Sequence, residues 1–136
     1  MRPAPGVAAY VADTIGELGL FYSLAPVAFI GGSLIERGGQ NPIEAGKLGA
    51  AILTGPHWHN FKDAYGALLK GGGAQVVQSA AELADAFEGL WSDPARLAAA
   101  KRDAGRAIAE LGGALERTLA LLLPLIPDDK VFARAS

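Results

Sequence analysis

Phe29-Ile-Gly-Gly-Ser-Leu-Ile-Glu-Arg-Gly-Gly-Gln-Asn-Pro-Ile-Glu44 decides how the chain is read. The apolar run Val27 to Ile30 has the length and composition of a buried strand, and it ends at a glycine-rich loop. Gly31, Gly32, Gly38 and Gly39 remove side chains where backbone must bend or admit a close neighbour. Asn41 is a good helix cap, Pro42 suits a first helical position, and Glu44 completes an Asn-x-x-Glu capping box. A helix start presented by a glycine loop after a strand is a place to hold an anion. Ordinary helix entry does not need four upstream glycines, so this segment is read as functional. Glu44 is then free to accept hydrogen bonds from a diol such as a ribose, and Gly31, Gly32 and Ser33 form a candidate phosphate loop.

Working outward, strands and helices alternate. Upstream, Val7 to Ala12 reads as a buried strand and Thr14-Ile-Gly-Glu17 as a capping box, with Leu18, Phe21, Tyr22 and Leu24 following at helical spacing. That box has two readings that stay open: a plain cap, or a second ligand segment in which Gly16 admits a close neighbour. Downstream, a short helix from Pro42 to about Leu48 ends at Gly49, and Ala50 to Thr54 is the next strand. The loop Gly55 to Asn60 leads into a helix over about Phe61 to Lys70, broken by Gly71-Gly-Gly73, with a small strand from Ala74 to Val77 beyond it. Ser79-Ala-Ala-Glu82 opens a helix that runs to Trp91. Asp93-Pro94 opens a long last helix, about 94–123, with Leu97, Ala104, Ile108, Leu111, Leu115, Leu119 and Leu122 on one stripe. Gly112-Gly113 should bend or weaken it. The expected fold is one α/β domain over 1–136, a mostly parallel sheet covered by helices on both faces.

Composition narrows the function classes. The 136 residues are 51% hydrophobic and 19% charged with a formal net charge of -2, which gives no basic face for nucleic acid. There are no cysteines, so disulfides and thiolate metal sites are excluded. No signal peptide is read at the N-terminus, and the apolar stretch Leu119 to Leu123 is far shorter than the about 20 residues a membrane span needs. The chain by itself is expected to be soluble or peripheral. His57 and His59 flank Trp58 but have no third partner at metal-site spacing, so no metal site is assigned. Ser33 lacks a Gly-x-Ser-x-Gly setting, and neither a Gly-x-Gly-x-x-Gly fingerprint nor a P-loop occurs.

Several of these segments together resemble one enzyme family. Asp13-Thr-Ile-Gly-Glu-Leu18, Phe29-Ile-Gly-Gly-Ser-Leu34, Gly38-Gly-Gln-Asn-Pro-Ile-Glu44, Gly55-Pro-His57 with Asn60-Phe61, and Gly113-Ala-Leu-Glu-Arg117 resemble 3-deoxy-D-manno-octulosonic acid (Kdo) transferase, in the family's order and spacing. The resemblance covers about Val7 to Leu122. Gln40 stands where His is common, and Ala45-Gly46 where Pro-Ala is usual, both outside the Asn-Pro-Ile-Glu core.

The resemblance implies an incomplete Rossmann-like C-terminal half of a GT-B glycosyltransferase. The family transfers Kdo from CMP-Kdo to lipid A precursor in lipopolysaccharide synthesis, on the cytoplasmic face of the bacterial inner membrane. Carried over residue by residue, Ile15, Gly16 and Glu17 would surround the cytidine. Asn41, Pro42, Ile43 and Glu44 would form the second donor segment, with the helix start near phosphate and Glu44 on the ribose. No cofactor is implied. The family's Pro-Arg pair that contacts CMP, its catalytic base, its acceptor site and its membrane anchor match nothing in this chain. No catalytic residue is therefore assigned, and the chain is not expected to be active alone. Two other readings remain: a GT-B piece that uses another nucleotide sugar, or a non-catalytic binding module or remnant.

Overall fold

In the structure, a computed structural model, residue 6 and residues 8–125 are described. Helix α1 (Leu18–Leu24) leads into strand β1 (Val27–Ile30), followed by α2 (Ile43–Lys47), β2 (Ala51–Thr54), a 3₁₀ turn (His59–Phe61), α3 (Lys62–Lys70) and β3 (Ala74–Val76). Helices α4 (Ala80–Ser92) and α5 (Pro94–Leu122) come last, with a closing 3₁₀ turn (Leu123–Leu125). The three strands form one parallel sheet in the order β1-β2-β3. Val27 pairs with Ala51, Ile30 with Thr54, and Thr54 in turn with Val76. Parallel neighbours require crossover connections, which α2 and α3 supply.

Alternation along the strands divides the core between the two faces. Ala28, Ile30 and Ile52 point to one face, where they pack with Ala45, Tyr65, Leu68, Ala104, Ala107 and Ile108 of α2, α3 and α5. Val27, Ala51 and Leu53 point to the other, against Val77 and against Ala86 and Leu90 of α4. Helix α5 serves both clusters, with Leu97 and Ala100 on the α4 side and Ala104 to Leu111 on the opposite side. Its turn past the sheet is possible because Gly73 has no side chain; a Cβ there would lie 2.6 Å from the Ala104 Cα.

Local signals set the helix starts of the second half. The Ser79 hydroxyl accepts from the Glu82 N–H at 3.2 Å, while the Glu82 carboxylate reaches back to the Gln78 N–H at 2.8 Å. Asp93 accepts from both Ala95 and Arg96 N–H groups at 3.0 Å, and Pro94 follows it at the first helical position. Helix α5 passes Gly112-Gly113 without interruption. Of the expected stripe on α5, Ala104 and Ile108 are buried and Leu97 and Leu111 pack against the core, whereas Leu119 and Leu122 are about half exposed at 46% and 48%. The side chain of Leu115 lies outside the described set.

Two expectations upstream of β1 are corrected. Residues 8–12 form no strand: they have no regular structure and lie on the surface, with Val7 outside the described residues. A strand needs a ladder partner for its N–H and C=O groups, and this segment has none in the sheet; Tyr10 instead rests against Phe21 of α1, ring centroids 6.1 Å apart. The Thr14 capping box is also not formed. Gly16 takes a left-handed turn at φ +89°, and α1 begins beyond it with Glu17 as an N-cap that makes no side-chain cap bond. Gly16 is thus a conformational requirement, and nothing approaches it within 4 Å.

Two glycine-to-alanine changes should move stability in opposite directions. Gly73→Ala meets α5 backbone and is expected to destabilise by about 1–3 kcal/mol. Gly66→Ala in α3 enters open space and should stabilise by up to about 1 kcal/mol. Urea denaturation of both variants checks the pair.

Candidate functional site

Because the strands are parallel, their carboxyl ends share one edge of the sheet, where α/β proteins bind ligands. The glycine loop leaves β1 at this edge, and the Gly55–Asn60 loop leaves β2 beside it. Helices α1 and α2 each run back to the amino end of the strand that follows them. Both therefore start at the carboxyl edge, and the two helices pack on each other. The Thr14–Glu17 region and Asn41–Glu44 thus lie at the starts of two helices that pack on each other, although among the described residues no strand precedes α1.

The two loops are bonded into one platform. Ser33 is fully buried; its hydroxyl donates to the Ile30 carbonyl at 2.5 Å and accepts from the Gly55 N–H at 2.8 Å. The Ser33 carbonyl accepts from the His57 N–H at 3.0 Å, and the Gly38 carbonyl from the Asn60 N–H at 3.1 Å. Asn60 Nδ2 donates to the Arg37 carbonyl at 2.9 Å, and the Tyr65 hydroxyl to the Gln40 carbonyl at 3.0 Å. The glycine loop also closes on itself, Gly39 and Gln40 N–H donating to Gly32 and Gly31 carbonyls at 3.0 and 3.1 Å. Glycine is required at several positions of this junction, two of which show why. Gly38 sits at φ +86° with Asn60 against it, and a side chain on Gly55 would collide with the Ser33 and Leu34 backbone. Much of the glycine richness therefore serves loop-on-loop packing.

Of the sequence-derived site residues, Ile15, Gly16 and Glu17 are exposed at the start of α1. Asn41 accepts from the Ile43 N–H at 3.0 Å, Pro42 is buried at the N-cap position, and Ile43 is half-buried against the core. Glu44 is exposed and does not fold back on Asn41; its Oε1 stands 3.0 Å from where a Cβ on Gly19 would be. Within the candidate phosphate loop, Gly31 is exposed and Gly32 half-buried, whereas the Ser33 hydroxyl is committed to the fold.

Behind Glu44, two tyrosines line the junction of α1 and α3 with the sheet. Burial, and then the Glu44 charge, pushes the Tyr22 phenol above the ordinary tyrosine value. Burial raises Tyr65 too, with Tyr22 adding to the rise and a hydrogen bond with Thr54 opposing it. Trp58 stacks on Tyr65 at 5.8 Å and closes this side. Both phenols stay neutral well past neutral pH. A cavity of about 720 Å³ lies elsewhere, over β1 and α4. Phe29, Leu83, Phe87 and Trp91 make it apolar, without the convergent polar groups that recognise a nucleotide. Among the described residues, no three His, Asp or Glu side chains gather as metal ligands, and no helix is long and apolar enough to cross a membrane.

Comparison with known proteins bears on this arrangement. No family model matches the chain. It is 38% identical over 118 residues to the 3-deoxy-D-manno-octulosonic acid transferase of Bordetella pertussis, covering 87% of this chain. It is 35% identical over 115 residues to that of Haemophilus influenzae, covering 84%. The chain belongs to the Kdo transferase family. It spans 28% and 27% of the length of these two Kdo transferases. Its structure matches the crystal structure of the C-terminal CMP-Kdo binding domain of WaaA from Acinetobacter baumannii with a TM-score of 0.68 and 30% identity. That match covers 71% of this chain and 51% of the other. The expected fold class stands: part of a Rossmann-like half of a GT-B Kdo transferase.

Sequence reading missed Gly19, Asn60 and the anchoring role of Ser33. Gly19 left a signal, since a glycine inside the periodic segment Leu18–Tyr22 costs about 1 kcal/mol against alanine and asks for a reason. Ser33 and Asn60 left none, because their partners are 22 and 23 residues away. Ser33→Ala removes both bonds and leaves the buried Gly55 N–H unpaired; a loss of about 1–3 kcal/mol in urea denaturation is expected.

Proposed function

We propose that this chain is the donor-binding part of a Kdo transferase, holding CMP-Kdo at the carboxyl edge of its sheet. The observation that carries this is the structural match to a CMP-Kdo binding domain at 30% identity, together with the convergence of α1 and α2 starts at one edge. In this reading Glu44 accepts hydrogen bonds from the ribose hydroxyls. The turn at Asn41-Pro42-Ile43 and the open backbone of Gly31 and Gly32 face the phosphate, and Ile15 to Glu17 surround the cytidine. The Ser33 hydroxyl, bonded on both sides within the fold, takes no phosphate.

The chemistry supplied here is electrostatic. Backbone dipoles at the start of α2 would stabilise charge growing on the departing CMP phosphate. In this reading acid–base work, the lipid A precursor acceptor and attachment to the cytoplasmic side of the inner membrane would fall to the rest of a longer Kdo transferase, since the chain spans 28% and 27% of the two relatives.

Calorimetric titration with CMP and UMP tests the reading. CMP should bind, and UMP more weakly. A folded chain that binds neither sinks the donor site, and a preference for UMP transfers it to a different nucleotide sugar. Glu44→Ala should weaken CMP binding by tenfold or more, about the loss of hydrogen bonds to a charged group. Its folding stability should fall by no more than the about 1 kcal/mol of a lost cap. The converse, intact binding with lost stability, makes Glu44 a structural residue.

A further inference from the structure

We infer that Gly19 is a positioning residue for Glu44, and that the missing side chain at Gly19 sets where the ribose-binding carboxylate stands. This rests on the donor-site reading of Glu44. Gly19 lies in α1 with ordinary negative φ, so the backbone does not demand glycine there. Helix propensity favours alanine at such a position. What argues for glycine is the neighbour: a Cβ would stand 3.0 Å from Glu44 Oε1 and 3.6 Å from Leu48 Cδ1. Few real methyl contacts are as short as the first of these, so the carboxylate would have to give way.

A second residue of α1 lies near that carboxylate. Tyr22, three residues on and on the same face of α1, packs against the core, and its phenol feels the Glu44 charge. Gly19 and Tyr22 thus bound the exposed Glu44 carboxylate on its α1 side. The same helix starts at Glu17, next to Ile15 and Gly16. One short helix therefore carries the cytidine segment and also fixes the ribose ligand, so the spacing between the two walls of the crevice is set within α1. Hydrogen bonds to ribose hydroxyls depend on angle as well as distance, so redirecting this carboxylate bears on binding more than on folding.

The test compares CMP with 2′,3′-dideoxy-CMP, which lacks the hydroxyls assigned to Glu44, by calorimetry on the whole chain. The unaltered protein should prefer CMP by about tenfold or more. Gly19→Ala should keep or raise the urea midpoint while that preference falls towards one. Glu44→Ala should abolish the preference, and adding Gly19→Ala to Glu44→Ala should change CMP binding no further. A Gly19→Ala protein that keeps the full preference, or that fails to fold, overturns the inference. So does a further loss of binding in the double variant. Absence of CMP binding in the unaltered protein is a separate result, which removes the donor site itself.

Discussion

A buried hydroxyl holds the functional edge together. Ser33 sits just past β1, and its Oγ both donates to the strand's last carbonyl and accepts from the first N–H beyond β2. Parallel strands pair along their length but leave their exit loops independent; here one side chain joins two exits. The remaining cross-loop bonds, His57 to Ser33, Asn60 to Gly38 and Arg37, and Tyr65 to Gln40, all need the register that this first bond imposes. An oxygen this deeply buried is tolerable only because both its donor and acceptor capacities are used.

The same frame explains where glycine was necessary. At Gly55 and Gly38 neighbouring atoms occupy the space a side chain would fill, so the loops approach at backbone distance. Asn41 and Pro42 are then held between a closed loop and a buried strand end, and α2 starts in a fixed place despite being only five residues long. So short a helix has little intrinsic stability. Ala45, fully buried, and Gly46, against Ile108 of α5, supply what propensity cannot.

Features that depend on near neighbours were legible in the sequence. Val27–Ile30 is bracketed by Pro26 and Gly31, and its strand limits coincide with those expected from composition. Ser79 and Asp93 cap their helices because a short side chain reaches amides two or three residues on. Features that depend on distant neighbours were not. The run at 8–12 has strand composition but no ladder partner, while Thr14 is a local miss, its cap pattern interrupted by the left-handed Gly16 just beyond it. In the segment proposed as the donor site, the local bond of Asn41 to the Ile43 N–H could be read directly. The direction Glu44 takes could not, since its Oε1 lies beside Gly19 on α1 rather than back at Asn41.

The loop-on-loop bonding at the carboxyl edge also bears on the thermodynamics of any ligand that docks there. Segments rich in glycine give up more conformational entropy on ordering than most, and a loose glycine loop would charge that loss to each binding event. In this fold Gly31 to Gln40 is ordered by Ser33, Asn60 and Tyr65 before a ligand arrives. The ordering is part of the folding free energy, so that one cost does not recur when a ligand docks.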